Sequence, residues 1–206
     1  MYAPPAFVEE RPDVLYGLIR SHPLGLLITA GPAGLMANPI PFQPVESDGQ
    51  VTLRAHLSRA NPQLADLDGA DCLVVFQGAQ AYVSPAWYAT KQETGKVVPT
   101  WNYIIVQARG RARRIDDPAW LRTQIEALTS AHEAGAAEPW AVDDAPETFI
   151  AAQIRGIVGV EIPVTQIDGK WKLSQNRSEA DRLGVVEGLK AAGQADISAA
   201  VAAAKP

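Results

Sequence analysis

The chain has 206 residues, of which 47% are hydrophobic and 20% are charged, so it can bury a core and disorder is not expected. Its formal net charge is −5, with 23 acidic against 18 basic residues, which disfavours binding nucleic acid mainly by neutralising phosphates. The single cysteine, Cys72, excludes a disulfide framework within one chain.

Hydrophobic periodicity and turn residues predict about eight strands, with helices at the edges and between the late strands. In chain order we expect a helix at 12–21, strands at 24–29, 35–40, 51–56, 72–76, 79–83 and 97–115, a helix that begins at Pro118, a helix at 146–154, strands at 158–164 and 166–173, a helix capped by Ser178 with Asp181 as its capping-box partner, and an alanine-rich helix at 191–206. This order lacks βαβ alternation, and about eight strands can close around one core.

Glycine-containing turns set most of the predicted strand boundaries. Turns are expected at residues 31–34, 77–78 and 168–169, and a bend within the long strand is expected at Gly110. We therefore predict a single domain over residues 1–206, a mainly β protein with a β-barrel, peripheral helices and a C-terminal helical tail.

The sequence offers neither a metal site nor a membrane span. Its three histidines and one cysteine are widely scattered, without the spacing of metal ligands. No apolar run reaches the ~18 residues that a membrane span needs, and the first residues lack the pattern of a secretory signal. We therefore expect a soluble, cytoplasmic protein without a bound metal.

The segment from His56 to Asn61 has a composition suited to binding phosphate. His56, Ser58, Arg59 and Asn61 end a predicted strand, and a short helix is expected directly after Asn61. A helix start with free N–H groups, beside a guanidinium and a hydroxyl, can bind a phosphate. A solvated strand end with an asparagine cap would explain the same residues, and composition alone leaves both interpretations open.

Three further groups combine polar residues with aromatic or cationic side chains near strand ends. They are residues 81–88, 98–103 and 172–177. Aromatic rings can line a pocket for a flat ring, and hydroxyl and amide groups can bind its polar edge. Ordinary barrel packing remains the alternative for the first two groups, and a helix cap with surface charge remains the alternative for the third.

Taken in order, these groups resemble the PaiB-like family of FMN-binding negative transcriptional regulators. The resemblance rests on His56-Leu-Ser-Arg-Ala-Asn-Pro, Tyr82-Val-Ser-Pro-Ala-Trp-Tyr, Val98-Pro-Thr-Trp-Asn-Tyr and Lys172-Leu-Ser-Gln-Asn-Arg, after an opening Met1-Tyr-x-Pro-x-x-Phe7. It covers the chain from its first residue to about residue 192. It implies the FMN-binding split barrel that pyridoxamine-phosphate oxidases and flavin reductases share, with FMN at the interface of a homodimer.

The resemblance also implies which residues contact the cofactor. Ser58 and Arg59 are expected to hold the phosphate. Related oxidases place a lysine directly after this arginine, where this chain has Ala60, so phosphate binding depends more on Arg59. Gln175 and Arg177 represent the C-terminal strand end, either of this chain or of its partner. The full set of implied contacts is Asn38, Pro39, Ile40, His56, Ser58, Arg59, Asn61, Ser84, Thr100, Trp101, Asn102, Gln175 and Arg177.

Direct DNA binding is open but weakly supported by the sequence. In a strand, Arg109, Arg111 and Arg113 would share one face, where they could contact nucleic acid. The same stripe could pair with acidic residues on a solvated barrel face, which is the more common arrangement.

Two alternatives to the regulator role remain. The first is an FMN-dependent oxidoreductase that uses NADH or NADPH on an unknown substrate, because the flavin itself supplies the redox chemistry. The second is a haem-binding or haem-degrading split barrel, in which an axial ligand is usually needed. The candidates for that ligand are His22, His56 and His132.

Overall fold

The computed structural model of the chain describes residues 1–32 and 34–205, in which nine strands and six helices form. The strands are β1 (Val8–Glu9), β2 (Leu24–Gly31), β3 (Gly34–Pro41), β4 (Gln43–Ser47), β5 (Gln50–Ser58), β6 (Asp71–Val83), β7 (Thr100–Arg111), β8 (Arg113–Ile115) and β9 (Ile157–Lys172). The helices are α1 (Pro12–Ser21), α2 (Ala89–Thr94), α3 (Pro118–Glu133), α4 (Glu147–Arg155), α5 (Glu179–Ala191) and α6 (Ala195–Ala203). Ala33, in the predicted turn at 31–34, and Pro206, at the end of the predicted tail helix, lie outside the described residues.

The strands form a sheet with the order β3-β2-β6-β7-β9-β5-β4, and β1 and β8 each pair with β9. The strand pairs whose register is described are antiparallel. Antiparallel neighbours can be joined by short turns, as expected for a chain without βαβ units. The predicted mainly β fold with peripheral helices is therefore confirmed.

The chain divides into two compact units. Unit 1 comprises Met1–Leu18, Gln77–Gln107 and the residues from Asp168 onward, and unit 2 comprises Ile19–Phe76 and Ala108–Ile167. Three strands, β6, β7 and β9, contribute residues to both units. That the whole chain is one domain remains a prediction.

In unit 2, the alternating sequence of β5 produces one apolar and one polar face. Leu53, Ala55 and Leu57 are buried. On the opposite face, Arg54 and His56 contact side chains of α3. Because side chains alternate along a strand, one face builds the core while the other face packs against the helix. This register brings the end of β5, with the predicted phosphate segment, beside the start of β9.

In unit 1, α5 and α6 pack against each other through apolar residues. Leu189 of α5 and Ile197 and Val201 of α6 are buried. Between the two helices Gly193 has a φ of 73°, a left-handed conformation that costs glycine little. The predicted helix over residues 191–206 is therefore shorter than expected, and α6 alone represents it.

Two glycines that were expected to end strands lie within continuous strands. β6 runs across Gly78, where a Cβ atom would lie 2.8 Å from Leu18 Cδ1. β9 runs across Gly169, where a Cβ atom would lie 2.2 Å from Leu15 Cδ2 and 2.7 Å from the Glu9 carbonyl. Both glycines permit close approach of α1 or β1, so the strand boundaries predicted at them are wrong.

The strand predicted at 97–115 is two strands, and its break lies elsewhere than expected. The break falls at Ala112, whose N–H donates a 2.9 Å hydrogen bond to the Ala70 carbonyl. Gly110 lies within β7, and a Cβ atom there would lie 2.2 Å from the Pro163 carbonyl. Gly110 therefore allows β7 and β9 to approach closely, and it does not mark a bend. The sequence also failed to indicate β1, β4 and α2.

Candidate functional site

The phosphate segment ends β5 as predicted, and local hydrogen bonds hold it in place. A 3-10 helix at Pro62–Asp66 follows it. The Asn61 side chain caps this helix by accepting a 2.9 Å hydrogen bond from the Gln63 N–H. The exposed Ser58 hydroxyl accepts one from the Ala60 N–H at 3.3 Å. The predicted asparagine cap and the predicted short helix are therefore both present.

Each of the three guanidinium nitrogens of Arg59 donates one hydrogen bond within unit 2. Nε donates to the Arg155 carbonyl at 3.0 Å, Nη2 to the Ile157 carbonyl at 3.0 Å, and Nη1 to Asp116 Oδ1 at 2.7 Å. Arg114 and Arg59 both donate to Asp116 and lower the pKa of its carboxyl group to about 2. Still, 44% of the Arg59 side chain is exposed. An anion can therefore reach Arg59, but it must compete with Asp116.

A cavity of about 720 Å³ borders Arg59. Its wall includes the buried side chains of Leu121 in α3 and Ile154 in α4. Arg122 lies on the same wall and is paired with three carboxylates, so it contributes no unbalanced positive charge there. The cavity is thus an apolar recess with an ionic rim, and Arg59 is one of its cations.

A buried glutamine connects the phosphate segment to the strand that carries Asn38. Asn38 Nδ2 donates to Gln63 Oε1 at 2.9 Å, and Gln63 Nε2 donates to Thr29 Oγ1 at 3.0 Å. Gln63 is fully buried. On the same strand Pro39 is exposed and Ile40 is buried. The structure therefore brings the predicted residue Asn38 to the phosphate segment through Gln63, which the prediction did not include.

His56 is held by α3. Its Nδ1 atom lies 2.7 Å from Gln124 Oε1, in a hydrogen bond whose donor depends on the tautomer of the ring. Gln124 is buried, and its Nε2 atom has no hydrogen-bond partner among the described residues. A buried amide without an acceptor costs free energy unless a water or a ligand satisfies it. Gln124 is therefore a polar group that the sequence did not single out.

In unit 1, residues 84–88 are packed against α5. Ser84 caps the 3-10 helix Pro85–Trp87, as its Oγ accepts a 3.2 Å hydrogen bond from the Ala86 N–H. A Cβ atom at Gly188 would lie 2.2 Å from the Trp87 ring. The Trp87 ring thus occupies the space that a larger residue at this position in α5 would need.

Tyr88 is buried beneath Arg177. Only 1% of its surface is exposed, and its hydroxyl has no hydrogen-bond partner among the described residues. The Arg177 guanidinium carbon lies 4.8 Å from the centroid of the ring, a cation–π contact. Burial raises the pKa of the Tyr88 hydroxyl, and the nearby guanidinium opposes this effect. The hydroxyl therefore remains protonated near neutral pH.

Thr100 and Trp101, both predicted contacts, meet at Lys172. Lys172 Nζ donates to the Trp101 carbonyl at 2.6 Å and to Thr100 Oγ1. The Trp101 ring is 48% exposed and lies edge-on to Tyr82, with 6.0 Å between the ring centroids. Lys172 belongs to the group at 172–177 that the sequence indicates, but its contacts with Thr100 and Trp101 were not predicted.

Asn102 and Gln175 direct their side chains to other groups of the same chain. Asn102 Nδ2 donates to Ser174 Oγ at 3.0 Å, and both residues are buried. The Gln175 side chain folds back on the main chain at the end of β9, because Oε1 accepts from the Leu173 N–H at 2.7 Å and Nε2 donates to the Trp171 carbonyl at 2.6 Å. These two predicted contacts therefore shape the end of β9.

The predicted contacts fall into two sets, one in each unit. Unit 2 contains Asn38, Pro39, Ile40, His56, Ser58, Arg59 and Asn61. Unit 1 contains Ser84, Thr100, Trp101, Asn102, Gln175 and Arg177. In unit 2 the Asn61 N–H donates to the Ser58 carbonyl, but the side-chain hydrogen bonds of both sets go to residues outside them, such as Gln63 and Lys172. The role of the two sets as cofactor contacts remains a prediction.

Two arginines of the stripe have carboxylate partners. Arg111 Nε lies 3.8 Å from Asp71 Oδ1 in an exposed ion pair. Arg113 forms a 2.8 Å ion pair with Glu161, a buried carboxylate that also binds Arg54 at 2.9 Å. Paired cations contribute less to binding an external polyanion. The acid-paired arrangement considered from the sequence therefore describes Arg113.

The outer face of β2, β3 and β6 in unit 2 is apolar. Along β2, residues of this outer face alternate with buried residues. The residues of β3 and β6 that pair with the outer residues of β2 lie on the same face of the sheet. Leu35 is 80% exposed and Leu24 is 62% exposed. A solvated sheet face normally carries polar side chains, so this surface is typical of an interaction site. We name it the outer apolar face, and its members are Leu24, Leu26, Ile28, Ala30, Leu35, Ala37, Pro39, Leu73 and Val75.

Two kinds of feature are absent from the described residues. No helix among them is long and apolar enough to cross a membrane. No group of three or more histidine, cysteine, aspartate or glutamate side chains in residues 1–32 and 34–205 is placed to hold a metal ion.

Comparison of sequences identifies a family and similar proteins. The profile of the family described as "Putative FMN-binding domain" matches residues 1–166. The uncharacterized protein AN0679 of Emericella nidulans is 35% identical over 227 residues, which cover 92% of this chain and 90% of that protein. The protease synthase and sporulation protein PAI 2 of Bacillus subtilis is 29% identical over 191 residues, which cover 92% of this chain and 89% of that protein.

Comparison of structures supports the same fold. The FAD and haem binding protein from Mycobacterium smegmatis matches with a TM-score of 0.59 and 19% identity, covering 80% of this chain and 73% of that chain. The flavocytochrome Anf3 from Azotobacter vinelandii matches with a TM-score of 0.57 and 15% identity, covering 86% of this chain and 75% of that chain. At such identities the likeness concerns the fold alone, and the predicted split barrel is confirmed.

Proposed function

The chain belongs to the FMN-binding domain family, whose profile spans its first 166 residues, and FMN is its cofactor. From this membership we propose that the protein is a homodimeric flavoprotein and a negative transcriptional regulator of the PaiB-like kind. A cytoplasmic location is part of this proposal. FMN supplies one- and two-electron redox chemistry when bound, and the protein binds, orients and tunes it.

The position of Arg59 is the observation that carries the cofactor part of the proposal. A phosphate monoester carries nearly two negative charges and is bound well by guanidinium, hydroxyl and main-chain N–H groups. Arg59 stands at the end of β5, next to the exposed Ser58 hydroxyl and on the wall of the 720 Å³ cavity. These residues fit the phosphate of FMN, provided that it displaces Asp116 from part of the guanidinium.

The outer apolar face supports the homodimer. A second copy of the chain would cover the exposed Leu24 and Leu35, whose burial is favourable by roughly 25 cal/mol per Å². In a two-fold dimer the same patch of both subunits is buried, so one apolar face of the chain is sufficient. We infer that this face lies between the two subunits.

Two observations bear on the regulatory part of the proposal. The relative from Bacillus subtilis carries a name that refers to protease synthesis and sporulation, which are outcomes under genetic control. The net charge of −5 and the ion pair of Arg113 do not favour direct contact with DNA. We therefore propose that regulation depends on the flavin-loaded protein acting through another molecule and not on the arginine stripe.

The cofactor part is tested by comparing FMN with riboflavin, which lacks the phosphate. We expect purified protein to be yellow, and Arg59→Met to weaken FMN binding about tenfold to hundredfold while riboflavin affinity stays the same. Arg20→Met, at an exposed position in α1, is the matched control. A folded wild-type protein without measurable FMN affinity would contradict the proposal.

The regulatory part is tested in cells and on DNA. In a strain from which the gene has been deleted, we expect repression of the target genes to be restored by supplying the wild-type gene but not by supplying the Arg59→Met gene. Duplex binding at low salt should be absent or unchanged by Arg109→Gln, Arg111→Gln and Arg113→Gln together. Salt-dependent binding that these changes abolish would show direct DNA recognition and refute this part.

An FMN-dependent oxidoreductase is a second candidate function. The exposed Trp101 beside Tyr82 favours it, because an aromatic surface next to a cation can accept a planar nicotinamide ring. We expect NADH or NADPH to bleach the flavin absorbance of the loaded protein and air to restore it. Failure of both nicotinamides to reduce the flavin removes this candidate.

Haem receives less support than flavin. His22 and His132 are exposed, and His56 is bonded to Gln124. The absorbance spectrum of freshly purified protein separates the two cofactors, and we expect flavin bands without a Soret band.

A further inference from the structure

Three cations of unit 1 lie on or just after the last residues of β9. They are Lys170, Lys172 and Arg177, and none of them takes part in an ion pair among the described residues. Asp181 is the carboxylate that acts on Arg177 by charge, but it accepts hydrogen bonds at 2.9 Å from both N–H and Oγ1 of Thr90. We call Lys170, Lys172 and Arg177 the cation cluster.

Aromatic rings and a main-chain carbonyl stabilise the outer members of the cation cluster. Lys170 is buried, donates to the Tyr2 carbonyl at 3.1 Å, and lies 5.3 Å from the centroid of Tyr103. Arg177 lies over Tyr88. Rings and carbonyls attract cations without cancelling their charge. The positive potential of the cluster therefore remains available to an anion.

Lys172 is the member best placed to use this potential. A lysine ammonium has three N–H donors, and Lys172 gives two of them to neutral oxygens of Thr100 and Trp101. Burial lowers the pKa of Lys172, and the charges of Lys170 and Arg177 lower it further. Like charges held together in this way are unfavourable until an anion joins them.

The backbone around the cation cluster is strained and firmly held. Ser174 has a φ of 65°, a left-handed conformation that is costly for a residue other than glycine. Its hydroxyl is fixed by Asn102, and Gln175 closes the loop on the main chain of β9. Strain of this kind persists where the surroundings fix it, and it is common at binding sites. Here it sets the direction in which the chain leaves Lys172 and reaches Arg177.

We propose that the cation cluster is a binding site for a phosphate group, contacted by Lys172 and Arg177 and positioned by Ser174, Asn102 and Gln175. Three cations faced by one carboxylate, Asp181, leave a net charge of about +2, which suits a group with nearly two negative charges better than a single carboxylate. The phosphate can belong to FMN, whose single phosphate would then be held here and not by Arg59, or to a second phosphorylated molecule. Only the first of these sources rests on the proposed function.

The test removes the charge of Lys172 while keeping a hydrogen-bond donor at this position. Lys172→Gln retains an N–H that can bond Thr100 and Trp101, Lys172→Arg retains the charge, and Lys190→Gln at an exposed position of α5 is the control. Affinities for FMN and riboflavin are measured by fluorescence, and inorganic phosphate is titrated calorimetrically into the purified, flavin-loaded protein. Circular dichroism checks that each variant is folded.

Two results support the site and identify its ligand. If Lys172→Gln weakens FMN binding about tenfold or more, with riboflavin and the Lys172→Arg variant little affected, the phosphate belongs to FMN. If FMN binding is unchanged but inorganic phosphate no longer binds to the loaded Lys172→Gln protein, the phosphate belongs to a second molecule.

One result overturns the site. Lys172→Gln would then bind FMN, riboflavin and inorganic phosphate with wild-type affinities. Absence of FMN from the wild-type protein and every variant would instead refute the proposed function, and titration of inorganic phosphate into the flavin-free proteins would then decide the role of the cation cluster.

Discussion

Arg59 Nη1 and Asp116 Oδ1 lie 2.7 Å apart, so the arginine expected to face a phosphate already holds an internal carboxylate. Arg114 donates to the other oxygen of the same carboxylate at 2.7 Å. Asp116 therefore occupies the place of an anion between two guanidinium groups. The relationship predicts competition between Asp116 and any phosphate that reaches Arg59.

Asp116→Asn should strengthen FMN binding if the phosphate competes for Arg59. Removing the negative charge leaves more of the guanidinium potential for the ligand, and we expect affinity to rise about twofold to tenfold. Riboflavin affinity should not change. Fluorescence titrations of both flavins measure the effect, and weaker FMN binding in the variant would show that Asp116 supports the site instead of competing.

The same variant should reveal a pH-dependent contribution to stability. The pKa of Asp116 falls from 3.8 to about 2 in the folded chain, with Arg114 as the first cause and Arg59 as the second. A carboxyl group whose pKa is lower in the folded chain stabilises the fold at pH values above its pKa in the unfolded chain. This stabilisation is lost as the pH falls through the pKa of the folded chain. We expect Asp116→Asn to lower the free energy of unfolding near pH 6. The loss should not exceed about 1 kcal/mol, because the ion pair is exposed to solvent.

Urea unfolding at about pH 6 and at about pH 3 checks this expectation. The difference between wild type and Asp116→Asn should shrink at the lower pH. An equal difference at both values would mean that shape or hydrogen bonding, and not charge, accounts for the loss.

Charged residues on the outer apolar face should separate the proposed subunits. Leu24→Glu and Leu35→Glu together would place two carboxylates in an apolar interface, at a cost of several kcal/mol. We expect a monomer in sedimentation velocity. Leu183→Glu is the matched control, since Leu183 is 60% exposed on α5. A wild-type chain that sediments as a monomer would refute the dimer.

Ser174→Ala should destabilise the end of β9. The change leaves the buried Asn102 amide without its Ser174 partner and keeps the left-handed backbone under strain, so we expect a loss of about 1–3 kcal/mol in the free energy of unfolding. Ser47→Ala, at an exposed position in β4, should change stability by no more than about 0.5 kcal/mol. Chemical denaturation of the two variants measures both values.

Two helical glycines should respond to alanine in opposite directions. A Cβ atom at Gly188 would lie 2.2 Å from the Trp87 ring, so Gly188→Ala should cost about 1–3 kcal/mol and loosen residues 84–88 from α5. A Cβ atom at Gly17 in α1 meets no atom within 4 Å, so Gly17→Ala should stabilise by about 0.5–1 kcal/mol. Thermal unfolding compares them, and a stabilising Gly188→Ala would contradict the packing described.

Sequence patterns predicted the fold class because strand alternation is local information. The position of β5 and the short helix after Asn61 follow from residue types within a few positions of each other. The strand boundaries predicted at Gly78 and Gly169 were wrong, because a glycine needed for close packing has the same sequence signal as a glycine in a turn. Only the tertiary approach of α1 distinguishes the two cases.

Polar roles were harder to predict than secondary structure. Ser178 caps α5 as expected, with its Oγ accepting from the Asp181 N–H, but the Asp181 carboxylate also accepts from Thr90, 91 residues away. Lys172 stood within a recognised group and still gave no local sign of its contacts with Thr100 and Trp101. Partners that are distant in sequence decide whether a charged side chain is neutralised or available.

The interleaving of the two units has a genetic consequence. Unit 1 is assembled from three separate stretches of the chain and unit 2 from two. No contiguous fragment of the gene encodes either unit by itself. A frameshift or premature stop after residue 107 would therefore remove parts of both, and recombination could not exchange one unit for a homologous copy in a single event.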